Sequence, residues 1–299
     1  MKTLIEYINE SANPTFKGVF KLAEQIYGFC QNMKTGEIVT IKDNQISGIR
    51  DLFFKEIQIG CIDHKTGKYP WPEYSDMEFP KGSSAVYIKN TTDWWNISEQ
   101  KFEIVRIAIT DIMFKERDEK LKKEHICSIL SHELSHAYVD YKQFSGKSET
   151  QIDAQIRKTK TGAKKYDDII FASNNGSSEI YRMVADARYF YLPDEVSAYE
   201  TEIIRSIKSI DAKKFSSMTD ADIVNELKKY TAYWDYSVLW KKLCGDEMKS
   251  LQAYGAAGWS RTDIKKLDAA FRKITNKIYA VIQERRKRLP YDETKIQKR

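Results

Sequence analysis

The chain has 299 residues, 41% of them hydrophobic and 31% charged, with a formal net charge of +6. That length is a prior for about two domains and is enough to bury a substantial core. No stretch approaches the roughly 18 consecutive apolar residues of a membrane span, so no membrane role is expected.

The opening MKTLIEYINESANPTF puts Glu6, Asn9 and Glu10 where a signal peptide would be apolar, so a cytoplasmic product is expected. Helical periodicity begins at Thr3–Glu10 and returns over Thr15–Met33, where Phe16, Val19, Phe20, Ala23, Ile26 and Tyr27 form one stripe. From Glu37 to Thr110 the pattern changes to short apolar runs, EIVTI, LFFKEIQIGCI, SAVYIK and FEIVRIAIT, parted by turn-rich pieces such as DHKTGKYPWPEYSD. These predict three or four strands. Cys30, Cys61, Cys127 and Cys244 are scattered without a CxxC pair, which predicts reduced thiols rather than a zinc ribbon or redox motif.

Beyond Lys120 helical periodicity dominates. The last long segment, SRTDIKKLDAAFRKITNKIYAVIQ, has Ser260 and Asp263 in capping-box positions and an apolar stripe from Ile264 to Val281. Residues 284–299 then carry seven Lys or Arg against three Asp or Glu, a net +4. Such a tail could dock on nucleic acid or an acidic partner, with a solvated helix end as the plainer expectation and nucleic acid the lesser of the two partners.

The segment ILSHELSHAYVDY, residues 129–141, holds the chemistry. At one hundred degrees per residue, Ile126, Leu130, Leu134, Ala137 and Tyr141 share one side of a helix, and His125, Ile129, His132, His136 and Asp140 share the other. A four-residue step stacks the imidazoles of His132 and His136 on adjacent turns, from which both can reach one metal ion at about 2.0–2.1 Å. Glu133 sits one step round, beside the ion without being aimed at it, as a base acting on water requires. The alternative is a satisfied histidine pair in a core.

ILSHELSHAY resembles the active-site helix of the zincin metallopeptidases. The resemblance covers this helix, one downstream segment and the order of strands before helices. The metzincin continuation is missing, since Val139 and Lys142 stand where a glycine and a third ligand would be. No histidine follows His136, and His125 lies roughly 10 Å along the axis from His132, too far to join it. An oxygen ligand is left, and the best candidate is Glu195 in YLPDEVSAYETEI, with Glu200, Glu202 and Glu179 as alternatives. In the gluzincins the third ligand is a glutamate on a later helix, often followed three positions on by alanine, as Glu195 is by Ala198. Those families often have Asp or Asn four positions after the ligand, where this chain has Tyr199. Tyr189, Tyr191 and Arg188 are the candidates for stabilising an oxyanion.

The expected architecture is α+β and zincin-like: a small N-terminal sheet packed on the HExxH helix, then a mainly helical C-terminal half. Residues 1–215 would form the metallopeptidase domain and 216–299 a helical region ending in the basic tail. The resemblance implies Zn²⁺ held by His132, His136 and Glu195, with Glu133 as the general base in hydrolysis of a protein or peptide substrate added to the FEIVRIAIT strand as a sheet edge. The rival expectation is a non-catalytic structural or interaction protein, such as a phage particle component, that keeps this scaffold.

Overall fold

The computed structural model describes residues 18–49, 52–75, 77, 79, 84–88, 104–144 and 179–296. The helix expected at Thr3–Glu10 lies outside them. The chain is α+β, with one small mixed sheet and otherwise mostly helices. It divides into two compact units, Met1–Lys158 and Thr159–Arg299. No helix among the described residues is long and apolar enough to cross a membrane.

The first unit contains helix α1 (Val19–Cys30), strands β1 (Ile38–Lys42), β2 (Glu56–Ile62), β3 (Ala85–Ile88) and β4 (Ile104–Thr110), a single turn α2 (Asp111–Phe114) and the long α3 (Glu119–Phe144). The sheet order is β1-β2-β4-β3, with β2 and β4 parallel and both outer pairs antiparallel. Alternation along the strands separates two faces. Ile57, Ile59, Cys61, Tyr87, Val105, Ile107 and Ile109 join α1 and α3 in the main core. Ile62, Val86, Ile88 and Ala108 turn the other way, into an aromatic cluster of Tyr69, Trp71, Tyr74 and Phe79 supplied by the β2–β3 connection.

FEIVRIAIT is therefore not the sheet edge expected of the last strand before the HExxH helix. β4 lies between β2 and β3, and the edges are β1 and β3. A strand apolar on both faces needs cover on both sides, so it belongs inside the sheet, and the four-residue β3 takes the edge.

The β2–β3 connection is fixed to the sheet by close contacts. Trp71 Nε1 donates to Gln58 Oε1 at 2.9 Å, and Arg106 Nε reaches the same oxygen at 3.0 Å. Gly60 makes this approach possible, because a Cβ there would fall 2.5 Å from the Trp71 ring and 2.6 Å from Pro70. At the start of the connection Asp111, buried at the end of β4, accepts from His64 Nδ1 at 2.7 Å, from Thr35 Oγ1 at 3.1 Å and from Lys115 Nζ at 2.5 Å. Burial opposes a charge on Asp111, but these donors outweigh it and hold the carboxyl well below its usual range.

The second unit is helical: α4 (Glu179–Phe190), α5 (Pro193–Ser209), α6 (Ala212–Ser217), α7 (Asp220–Tyr230), α8 (Tyr233–Cys244), α9 (Glu247–Tyr254) and α10 (Arg261–Ile296). One core joins them, running from Val184 to Leu289. α4 and α5, expected within a 1–215 domain, thus share their packing with the later helices. The capping box of α10 is present, with Ser260 N donating to Asp263 Oδ2 at 3.1 Å and Asp263 N to Ser260 Oγ at 3.3 Å.

The basic tail is in part an internal structural element. Arg285 lies over the Phe215 ring and donates to the carbonyls of Ile207 and Ile210, closing the C-terminal end of α5. Arg286 bonds Asp220 at 2.7 Å and the Met218 carbonyl at 2.8 Å. Both arginines are thus engaged within the second unit. All four cysteines are free thiols, and burial pushes Cys30, Cys61 and Cys244 each up to about 12, where they are unreactive at neutral pH.

Candidate metal centre

Asp118 starts α3 by accepting from the amides of Lys120 at 2.9 Å and Leu121 at 3.1 Å. The apolar side follows the periodicity: Ile126, Leu130, Leu134 and Ala137 are buried in the main core and Tyr141 packs at its margin. Two serines in mid-helix are accommodated by bonding back one turn, Ser131 Oγ to the Cys127 carbonyl at 2.7 Å and Ser135 Oγ to Ser131 at 2.8 Å. The other side carries buried His132, Glu133 and Asp140, with His136 half-buried.

His132 and His136 come together through their outer nitrogens, Nε2 to Nε2 at 3.1 Å, with ring centroids 4.9 Å apart. Two bonds of about 2.05 Å meeting at one ion from nitrogens so placed would enclose roughly 100°, close to tetrahedral. The pair therefore fits two adjacent positions of a zinc ion. The same separation suits an N–H···N hydrogen bond between neutral imidazoles, the satisfied histidine pair considered above.

Glu133 does not join the imidazoles. Its Oε2 accepts from the backbone amide of Tyr87 at 2.7 Å, so edge strand β3 fixes the carboxylate and leaves Oε1 as its second acceptor. Sequence reasoning identified both the helix and the strand but not this bond, since nothing in SAVYIK marks one amide as a carboxylate partner.

The remaining histidines have other environments. His64 is bound to Asp111, and His125 is half-buried two turns before His132 on α3. Asp63, His64 and Asp111 form a compact group of possible ligands. Lys115 already supplies the cation there, and the arrangement ties the ends of β2 and β4 together.

Glu195 belongs to the second unit. Pro193 opens α5 as the sequence indicated, and Glu195 is buried in its first turn. Within that unit its carboxylate adds to burial in raising the phenol of Tyr236, whose hydroxyl donates to the Phe190 carbonyl. The alternatives are differently engaged. Glu200 pairs with Lys273 at 3.3 Å, Glu202 Oε1 accepts from the Ala232 amide at 3.3 Å, and Glu179 is exposed at the start of α4.

Two of the three residues proposed for the oxyanion are occupied in capping α10. Tyr191 donates to Asp263 Oδ1 at 2.6 Å, and Arg188 reaches both Asp263 oxygens at 3.2 Å. Burial works against charge on Asp263, but the bonds from Arg188, Ser260 and Tyr191 keep its carboxyl below the usual range. Tyr189 packs edge-on against Phe190, 6.2 Å between centroids.

Comparison of the chain with protein-family models, with curated proteins and with solved structures found no match in any of the three.

Proposed function

We propose that the chain is a zinc-dependent peptidase. The observation that carries the reading is the HExxH helix, with its two imidazole Nε2 atoms 3.1 Å apart and its glutamate held separately at the sheet edge. Ligands and base thus have different supports, as water-activating chemistry needs. His132 and His136 would hold Zn²⁺, and Glu195 of the second unit is the proposed third ligand. Bound there, zinc would polarise water and a substrate carbonyl, bringing the pKa of that water to about 7.

Glu133 then acts as general base through Oε1, taking a proton as water attacks the peptide carbonyl and returning it to the leaving amine. Its bond to the Tyr87 amide holds the carboxylate in one orientation through both transfers. The peptide would lie extended along β3, the edge strand nearest the base, with main-chain hydrogen bonds giving affinity and alternate side chains giving specificity.

Glu133→Gln keeps the side chain's size and removes its basicity. Zinc content should stay at the parental value while peptide cleavage falls about a hundredfold to ten-thousandfold, the contribution of a positioned base. Cleavage by the variant at the parental rate rejects the mechanism. A parent that holds zinc and cleaves nothing supports the structural rival instead.

A further inference from the structure

The connection between β1 and β2 opens with one 3-10 turn, Asp43–Gln45. Together with Tyr141 of α3 it encloses a cavity of about 520 Å³, inside the range of roughly 300–1,000 Å³ typical of small-molecule sites. Among the described residues Leu52, Phe53, Phe54 and Tyr141 supply an apolar wall, while Asp43 and Lys55 supply one acid and one base. Phe53 and Phe54 meet at 89° with centroids 5.2 Å apart, and Phe53 lies 5.8 Å from Tyr141. The rings form a corner that suits a flat or branched apolar group. Tyr141 stands on the apolar side of α3, so this cavity is separate from the side that carries His132 and His136.

Backbone and side-chain bonds hold the cavity in shape. The Asp43 amide donates to the Lys55 carbonyl at 2.8 Å, so the two charged residues stand opposite each other as cross-strand neighbours. Helix α1 braces the rest of the connection. Gln25 Nε2 donates to the Ser47 carbonyl and Gln25 Oε1 accepts from the Ser47 amide, both at 2.9 Å, and Lys21 Nζ reaches the Gly48 carbonyl at 3.1 Å. A ligand therefore meets walls that are already ordered, which lowers the cost of binding.

The pairing of the two charges narrows the ligand. An uncharged apolar molecule would fill the corner but strip water from both the acid and the base. A molecule with one charge would answer one of them and leave the other facing its apolar end. A molecule that carries an ammonium and a carboxylate on one atom, with an apolar group beyond, answers both. We propose that this cavity binds an apolar α-amino acid, with its ammonium on Asp43, its carboxylate on Lys55 and its side chain against Phe53, Phe54 and Tyr141. The proposal stands apart from the peptidase reading and does not depend on it.

The test uses the full chain and three probes: L-phenylalanine, 2-phenylethylamine, which lacks the carboxylate, and 3-phenylpropanoate, which lacks the ammonium. Binding is followed by saturation-transfer NMR and calorimetry. The parent should bind L-phenylalanine about twofold to fivefold more tightly than either one-charge probe, the scale of a solvent-exposed ion pair. Asp43→Asn keeps an oxygen for the Asn44 amide that Asp43 Oδ1 now receives at 2.6 Å, and should weaken L-phenylalanine and 2-phenylethylamine while sparing 3-phenylpropanoate. Lys55→Gln should weaken L-phenylalanine and 3-phenylpropanoate while sparing 2-phenylethylamine. Leu52→Trp, which fills the cavity, should abolish binding of all three. Both rim residues are exposed, so their variants keep the fold and decide the matter even if the tryptophan variant does not fold. No saturation transfer from L-phenylalanine to the parent at about 10 mM overturns the proposal, as do equal affinities for the three probes. A rim variant that keeps the parental order of affinities, or a folded Leu52→Trp chain that binds as the parent does, overturns it too.

Discussion

Replacing Gly60 by alanine adds one methyl group in a place where the structure has no room for it. The new Cβ would stand 2.5 and 2.8 Å from two Trp71 ring carbons and 2.6 Å from Pro70 Cγ. Ordinary carbon contacts need about 3.5–4.0 Å, so the indole must retreat by roughly 1 Å. It cannot do so freely, since Trp71 is 3% exposed and tied to Gln58 at 2.9 Å. Overpacking of this kind costs about 1–3 kcal/mol, and losing the indole bond adds about 1 kcal/mol. The expected loss is therefore about 2–4 kcal/mol. For a unit of this size that lowers Tm by roughly 5–15 °C. Gly28 provides the control: it lies in α1 with nothing within 4 Å of an added Cβ, so Gly28→Ala should stabilise by about 0.5–1 kcal/mol. Thermal melts of both variants, followed by circular dichroism, compare the two cases. A Gly60→Ala variant melting within a degree of the parent would refute the packing of the β2–β3 connection described above.

Asp111→Asn removes the charge that His64, Thr35 and Lys115 share. Because the folded carboxyl is held below its usual range, its stabilisation is complete above about pH 4 and is lost as pH falls below that. Denaturant titrations should therefore show the variant less stable by about 2–3 kcal/mol at pH 7, with the gap closing toward pH 2; a gap independent of pH contradicts this. Arg285→Ala should cost about 2–3 kcal/mol by uncovering Phe215 and two carbonyls, whereas Arg288→Ala, losing only an exposed pair with Glu284, should cost under about 0.5 kcal/mol. Equal effects in chemical denaturation would mean that Arg285 too is merely part of a solvated tail.

Much of the first unit can be read from the sequence because its signals are local. The four apolar runs became the four strands, and the α3 periodicity separated an apolar back from a histidine front. Strand order was not legible: FEIVRIAIT reads as apolar in either position, and only the pairing with both β2 and β3 shows that it is interior. The Tyr87–Glu133 bond was hidden for a related reason, as a backbone amide leaves no mark on its side chain. The aromatic cover was overlooked because DHKTGKYPWPEYSD reads as a turn-rich linker, although its Tyr69, Trp71 and Tyr74 cover the sheet's second face. That part of the basic tail is engaged in the fold was not legible, because charge counting does not see an arginine stacked on Phe215. Glu195 was proposed as a ligand from its helix-start context and the gluzincin resemblance, and Pro193 opens α5 as that context predicts.

The central claim is that His132 and His136 are metal ligands and not a hydrogen-bonded pair. Elemental analysis of the purified chain, beside a His132→Ala/His136→Ala double variant, tests it most directly. The account predicts one zinc per parent chain and none in the variant, with the variant's circular dichroism retained. Zinc absent from a parent refolded in excess Zn²⁺, or present at equal stoichiometry in both, contradicts it.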